Sequence, residues 1–451
     1  MRSVLVIGSG PAGSVAALTL ARAGVRVTLL DAAERTPFAI GEGLPPAVRP
    51  ILASLGLEAR IAAQGHRQAL ANRSTWGSDR IEITDFMLHP FGPGWHLDRH
   101  AFDAGLLEAA CEAGAALVRG TFRESVRERG GWLIRVATDA GSRTIDADVV
   151  IDCTGRRCAF ARRQGARRTQ SDRLVACAAL LRSTTPGTDP DATTLIEAER
   201  DGWWYTAPLP GASRIVMFFT DSDLPASREI RVSGAFRARL EQTRHVGPLC
   251  AGSSYEIATP LRVVASDTGR LDRCCGDGWL VAGDAAASFD PISSQGIMTA
   301  MQCGRDAATS ILEGDEAGYA IRVDELCARY ESTRAFVYAQ ERRWPLALFW
   351  SRRQQAQKLI EDQVDRARLA WRKQQSDEAR TRIGVEKVGP AGQVYCGDPL
   401  GMDGRVVHVH DQSLVRVNDH IQRSRADGQV DHRRIRAGDG LGDEALSARR
   451  E

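Results

Sequence analysis

Val4-Leu5-Val6-Ile7-Gly8-Ser9-Gly10-Pro11-Ala12-Gly13, followed by an alanine-rich stretch at 14–22 and a second apolar run at 25–30 that ends in Asp31, decides the fold. The apolar runs read as strands, the glycines at 8, 10 and 13 as a Gly-x-Gly-x-x-Gly turn, and residues 14–22 as a helix. Together they make a βαβ unit. Gly8 permits the tight turn, Gly10 lets backbone approach a pyrophosphate, and Gly13 lets helix pack on strand. The helix start at Pro11 and Ala12 then offers phosphate its free N–H groups and the positive end of its dipole. Asp31, 18 positions past Gly13, is placed to accept hydrogen bonds from a ribose 2′-hydroxyl, and its charge repels a 2′-phosphate.

Working outward, residues 45–57 read as a helix with prolines in its first turn. Residues 98–113 read as another, with Asp98 as N-cap and Gly114 as its stop. Short strand-like stretches lie at 72–76 and 80–86. A third buried strand at 148–151 closes into Asp152-Cys153-Thr154-Gly155. From there to about residue 260, strands at 174–181, 203–208 and 214–220 precede a helix at 230–243, the pattern of a largely antiparallel sheet. A strand returns at 278–282 and a helix at 296–312, so the first domain resumes after an insertion. Helical spacing beyond residue 324 continues to about 374, and the remainder to 451 is polar and weakly patterned.

A second signal separates a flavin from a nicotinamide cofactor. It runs Trp279-Leu280-Val281-Ala282-Gly283-Asp284-Ala285-Ala286, then Asp290-Pro291, then Ser294-Gln295-Gly296-Ile297 opening a helix. Asp284, at a strand end, is placed for a ribityl hydroxyl. The helix N-terminus at Gly296 stabilises negative charge on a reduced isoalloxazine. Pro291, Ser294, Gln295, Gly296 and Ile297 are therefore expected around the ring of an FAD. The expected fold class is α/β: a Rossmann-like FAD domain (1–70, 97–175 and 262–325), an interleaved antiparallel-sheet substrate domain (71–96 and 176–261), C-terminal helices (326–375) and a polar extension (376–451).

Bulk properties narrow the field. The 451 residues are 43% apolar and 26% charged, with a net charge of +2, which fits a soluble globular protein and not a nucleic-acid binder. Ten cysteines without a C-x-x-C pair, no signal-peptide pattern and no membrane-length apolar run give the expectation of a cytoplasmic protein with reduced thiols, outside the membrane. The neighbours Cys274 and Cys275 read as packing, since adjacent cysteines seldom bridge without strain. His408, His410 and His420 lack a firm further ligand, so no metal is expected.

These motifs, with Asp98-Arg99-x-x-Phe102-Asp103, resemble the FAD monooxygenases of the p-hydroxybenzoate hydroxylase fold, together with flavin-dependent halogenases and geranylgeranyl reductases. The resemblance spans roughly residues 1–350. It implies that Arg99, otherwise a surface charge on a helix, reaches the ribityl or phosphate region. Hydroxylases that bind NADPH themselves usually carry Asp-Gly where this chain has Asp152-Cys153-Thr154-Gly155, and no second dinucleotide fingerprint exists. Electrons are therefore expected from transient NAD(P)H contact, from reduced flavin or from a separate flavin reductase. Halogenases need an active-site lysine, whereas the lysines here are Lys358, Lys373 and Lys387, which argues against halogenation. Their Trp-x-Trp-x-Ile-Pro motif survives only in part, as Trp203-Trp204-Tyr205-Thr206-Ala207-Pro208.

A narrower similarity rests on Gly41-Glu42-Gly43-Leu44-Pro45-Pro46, Gly202-Trp203-Trp204-Tyr205 and Glu341-Arg342-Arg343-Trp344-Pro345 with Phe349-Trp350. It is to halogenase-like flavoproteins that mature protein-derived quinones, such as the monooxygenase serving quinohemoprotein amine dehydrogenase. It implies hydroxylation of a tryptophan in a partner polypeptide, on the way to cysteine tryptophylquinone, by a flavin C4a-hydroperoxide. A small-molecule hydroxylase or reductase, a halogenase-like enzyme and a non-catalytic maturation chaperone remain as alternatives. Glu42, Trp204, Tyr205 and His96 are the catalytic candidates. Each has a plainer reading: Glu42 a loop charge, Trp203, Trp204 and Tyr205 sheet core, and His96 or His89 a merely hydrogen-bonded histidine. Arg342, Arg343, Arg352 and Arg353 read as a basic cluster on the long helix, either solvated or docking an acidic partner.

Overall fold

The computed structural model describes residues 2–32, 40–185, 189–252 and 255–355. The three lysines, His408, His410, His420 and the polar extension lie outside these described residues.

The βαβ reading is realised. The strand Ser3–Ile7 pairs in parallel with Arg26–Asp31 on one side and Val149–Asp152 on the other. Ala116–Arg119 and Trp279–Val281 extend this sheet, and Cys275–Gly276 forms an antiparallel edge. Every residue of Ser3–Ile7 is buried, as expected of a parallel strand covered on both faces. The helix Pro11–Arg22 closes onto the sheet because position 13 has no side chain: a Cβ there would lie 1.8 Å from the Gly8 carbonyl oxygen. The helix Gly296–Glu313 closes onto Pro11–Arg22 in the same way, at Gly304, where a Cβ would meet the Ala12 carbonyl at 2.1 Å.

The second sheet has eight strands. Tyr255–Ile257, Leu174–Ser183, Ser213–Asp221, Gly202–Leu209, Thr193–Glu199, Ala71–Thr75 and Glu82–Asp85 follow in that spatial order, and Arg262–Ala265 also pairs with Leu174–Ser183. All pairings are antiparallel except that of Thr193–Glu199 with Ala71–Thr75. The pleat divides the aromatic run of Gly202–Leu209. Trp203 and Tyr205 join Met217 and Phe219 on one face, while Trp204 joins Phe218 and Phe236 on the other. A small third sheet pairs Gly94–His96 with Gly43–Leu44 and Arg67–Ala69.

Asp98 caps the helix Arg99–Glu112 as expected, accepting from the His100 and Ala101 amides at 2.9 and 3.0 Å. Three helical expectations need correction. Residues 45–57 form a 3₁₀ turn, Pro46–Val48, and a short helix, Arg49–Ser54; Pro50 has no N–H to give to a longer one. The helix expected at 230–243 splits into Pro225–Glu229 and Ser233–Glu241 where Val232 is extended. The long C-terminal helix begins earlier, at Glu316, and breaks after Gln340. There the buried Glu341 carboxylate turns aside to accept from Arg343 and the Gly77 amide. Helix resumes at 348–355.

Arg343, Arg352 and Arg353 are consequently not an open basic face. They pair with Glu341 and Asp79, with Asp221 and Asp223, and with Asp221 respectively. Cys274 and Cys275 carry free thiols. No helix among the described residues is long and apolar enough to cross a membrane.

Trp203 is fully buried, stacks on Phe219 at 3.9 Å and donates to the Tyr338 hydroxyl. Trp203→Ala should therefore cost roughly 3–5 kcal/mol of stability, read from denaturant unfolding. A loss below about 1 kcal/mol would show that the second sheet and the C-terminal helices are not held through this cluster.

Candidate functional site

A cleft of about 390 Å3 lies between the first sheet and the Tyr205 face of the second. Its floor is Gly10, Pro11 and Ala12, at the start of one long helix, and Gly296, Ile297 and Ala300, at the start of another. Ile40, Gly41, Glu42 and Gly43 form one wall with Arg99. Tyr205, whose hydroxyl lies 3.5 Å from a Cβ built on Gly43, adjoins that wall, and Met217, Phe219 and Val264 continue the lining along the second sheet. Two helix N-termini thus converge on one space, an arrangement that favours bound negative charge. A Cβ built at Gly10 or at Gly296 meets nothing within 4 Å. The floor is therefore a bare-backbone cradle at both ends, fitted to a ligand with a charged middle and an electron-rich end.

The polar groups of the cleft fit the same ligand. Glu42 is 2% exposed and neither carboxylate oxygen has a partner. Burial pushes its carboxyl up to about 7, against the weaker pull of the nearby Gly41–Glu42 backbone and of Arg99. Asp284 opens onto the cleft space and not the outer surface. The enclosing walls raise its carboxyl while Arg156, Arg99 and Arg168 pull it down. Arg99 lines the cleft, but its guanidinium holds the wall together. It donates to the Ile40 and Gly41 carbonyls at 2.7 and 2.9 Å and pairs with Asp103.

Of the sequence candidates, the structure brings Gly10, Pro11, Ala12, Glu42, Arg99, Tyr205, Asp284, Pro291, Ser294, Gly296 and Ile297 to this one cleft. Gly8 and Gly13 lie beneath the floor, where they let the helix approach. Asp31 ends its strand in an ion pair with Arg119 of the neighbouring strand. Gln295 precedes the Gly296 helix as its N-cap and is exposed. Trp204 lies away from the cleft: the pleat turns it to the far face, where it donates to Glu199 and packs on Phe236. His96 is fully buried behind the Glu42 wall, with Nε2 3.0 Å from Thr194 Oγ1. His89 packs between Phe86 and Phe91 in a surface turn.

The geometry brings forward two residues with no site role legible in the sequence. Arg156 follows the Asp152-Cys153-Thr154-Gly155 turn, lines the cleft and pairs with Asp267 at 3.0 Å. Asp290 is fully buried at the cleft edge, caps the Ile292 amide and accepts from the Tyr338 hydroxyl at 2.7 Å. An aspartate before a proline was the available signal for Asp290, and it reads as a plain helix cap.

Residues 1–343 match the FAD binding domain family. The chain belongs to this family of flavin-dependent enzymes. Its cofactor is FAD, and its place is within the monooxygenase and halogenase superfamily. It is similar to LodB of Marinomonas mediterranea, assigned as an FAD-dependent oxidoreductase, with 30% identity over 357 residues that cover 77% of this chain and 96% of LodB. The fold is also that of CmlS, a flavin-dependent halogenase, at 27% identity and a TM-score of 0.69 over 78% of this chain and 68% of CmlS. QhpG, a peptidyl tryptophan dihydroxylase essential for tryptophylquinone cofactor biogenesis, aligns at 26% identity and a TM-score of 0.62 over 78% of either chain.

Two substitutions should separate the floor's two roles. Gly13→Val, driven into the Gly8 carbonyl, is expected to lower Tm and abolish flavin occupancy together. Gly10→Ala has open space for its methyl group and should keep Tm while FAD affinity falls. Calorimetry and the flavin content of purified protein read both, and unchanged flavin in Gly13→Val would count against the fingerprint.

Glu42 supplies a pH signature. Its folded value of about 7 against an ordinary 4.5 means that the folded protein binds its proton more tightly than the unfolded chain. Stability is therefore lost as pH rises between those values, by on the order of 3 kcal/mol. Flavin-free Glu42→Gln should be more stable than wild type at pH 8, with the difference gone below about pH 4.5. Equal Tm values across that range would show that Glu42 is not buried as an acid.

Proposed function

We propose that the chain is an FAD-dependent oxygenase that hydroxylates the ring of a tryptophan side chain within a partner polypeptide, during maturation of a tryptophylquinone cofactor. The observation that carries this reading is the polar equipment of the cleft. Its wall offers a carboxylic acid with a value near neutrality and a tyrosine hydroxyl, and no lysine exists among the described residues to take up an oxidised halide. Arginine, charged at every working pH, does not replace that amine. The likeness to a peptidyl tryptophan dihydroxylase supports the polypeptide substrate.

The backbone at Gly10, Pro11 and Ala12 would hold the pyrophosphate, Asp284 the ribityl chain, and Pro291, Ser294, Gly296 and Ile297 the ring. Bound FAD, once reduced, supplies the electrons that activate O2. The protein's own contribution is position, exclusion of water and proton handling. Met217, Phe219 and Val264 make the wall apolar, so an indole can be held there without competing solvent. Glu42, half-ionised near neutral pH, is matched to accept the proton that the ring loses. The chain's one fingerprint is taken by FAD, so electrons come from outside, through reduced flavin, a flavin reductase or passing NAD(P)H. The segments 71–96 and 176–261, which carry most of the eight-stranded sheet, serve as the substrate-bearing part. A cytoplasmic setting with reduced thiols belongs to the same reading, and ten scattered cysteines without a C-x-x-C pair are in keeping with it.

Incubation with reductant, O2 and the tryptophan-bearing partner should add the mass of one or two oxygen atoms to the partner peptide. The gain should be the same with or without chloride or bromide. A halogen-bearing, halide-dependent product would move the chain to the halogenase reading that its likeness to CmlS supports. An unchanged partner mass would point to a chaperone, and turnover without polypeptide to a small-molecule enzyme.

A further inference from the structure

Behind the Glu42 wall runs a line of buried polar side chains. Tyr205, 6% exposed, shares a face with Thr194 of the adjoining strand, close enough for the two hydroxyls to interact. Thr194, 4% exposed, lies 3.0 Å through Oγ1 from Nε2 of the fully buried His96. Nδ1 of His96 has no partner. The backbone fixes this line, since His96 pairs with Gly43, next to Glu42, and the Tyr205 hydroxyl lies 3.5 Å from a Cβ built on Gly43.

Such a chain of hydroxyls has a direction, and the imidazole sets it. Burial pushes His96 down to about 4, helped by Arg214 and Arg67 and opposed by Asp191. The ring is therefore neutral and carries one N–H. A proton on Nδ1 would bury a donor with nothing to receive it, at a cost of about 1–3 kcal/mol, and unpaired N–H groups are the rarer exception among buried polar atoms. With the proton on Nε2, His96 donates to Thr194, Thr194 donates to the Tyr205 oxygen, and the Tyr205 O–H is left to donate into the cleft. Reversing the tautomer reverses every bond, and Tyr205 would then offer the cleft only a lone pair. The Glu42 carboxylate acts on Tyr205 from the cleft side, which also favours a donor there.

We propose that His96 and Thr194 are positioning residues that hold Tyr205 as a hydrogen-bond donor toward the oxygen being reduced in the cleft. This rests on the oxygenase reading for its chemistry, though not for its geometry. His96 itself transfers no proton.

The geometry is tested on flavin-free protein labelled with 15N-histidine. The His96 resonances, identified by their loss in His96→Gln, should report the Nε2–H tautomer at pH 7 and stay neutral down to about pH 4. An Nδ1–H tautomer, or a ring that charges near its ordinary pH, overturns the proposal. The consequence is tested on FAD-loaded protein, reduced and then mixed with O2, with the return of flavin absorbance as readout. Loss of a donor to developing negative charge in Tyr205→Phe should slow reoxidation about tenfold. Thr194→Val and His96→Leu should reproduce that change with flavin content unaltered. Thr194→Ser, and His96→Gln whose amide donates from near the Nε2 position, should restore the rate. Wild-type reoxidation in Tyr205→Phe overturns the proposal, as does failure of both conservative variants in protein of normal Tm. Absence of any oxygenated product would instead sink the oxygenase reading and leave the tautomer result standing.

Discussion

The buried carboxylate of Asp152 is the constraint on which the site depends. It stands at the end of the central strand Val149–Asp152, fully buried, and accepts four hydrogen bonds. Oδ1 takes the Thr154 amide and hydroxyl at 2.9 and 2.7 Å, and Oδ2 takes the Phe160 and Ala161 amides, both at 2.9 Å. A charge placed this deep is tolerable only with its lone pairs filled. The two ends of the loop at 152–161 are thereby fixed to one atom group. Fixing the loop fixes Cys153, whose carbonyl would lie 2.3 Å from a Cβ on Gly8. The glycine turn, the Pro11–Arg22 helix and the cleft floor follow in sequence from that contact.

On the other side of the cleft the equivalent anchor is Asp290. Its carboxylate caps the turn Pro291–Ser293 and receives the Tyr338 hydroxyl, while its backbone carbonyl takes the Tyr330 hydroxyl. Both tyrosines belong to the helix Glu316–Gln340. The end of that helix is held against the second sheet by Trp76, which donates to the Val337 carbonyl, and by Trp350, which donates to Glu199. The motif Glu341-Arg342-Arg343-Trp344-Pro345 with Phe349-Trp350 is thus a clasp for the helix end. It reaches the cleft-edge loop at Asp290 through Tyr338 and does not line the cleft.

What the sequence made legible, and what it hid, follows from how local each determinant is. The two glycine motifs carry their own geometry: a turn and a helix start need only neighbours in the chain, so the floor residues from Gly10 to Ile297 could be named in advance. Tyr205 and Trp204 differ by one position, and only the register of Gly202–Leu209 against Ser213–Asp221 decides which faces the cleft. That register is a long-range property. The same holds for Arg343, Arg352 and Arg353, whose spacing reads as a charged helical face until the fold brings Asp79, Asp221 and Asp223 to them. His96 was legible as a candidate, but its burial and its single partner, Thr194, come from a strand far along the chain.

The first sheet also fixes the order in which the molecule can be assembled. Trp279–Val281 completes it beside Val149–Asp152, and Gly304 seats the second long helix on Ala12, yet both come after the whole of the second sheet in the chain. On the ribosome the N-terminal strands must therefore wait with one sheet edge unpaired and half of the cleft floor missing. Contacts of such sequence separation form late and slowly. The cleft floor is complete only after residue 300 has emerged, so with FAD held there as proposed, flavin capture is a closing event of folding and not a nucleus for it.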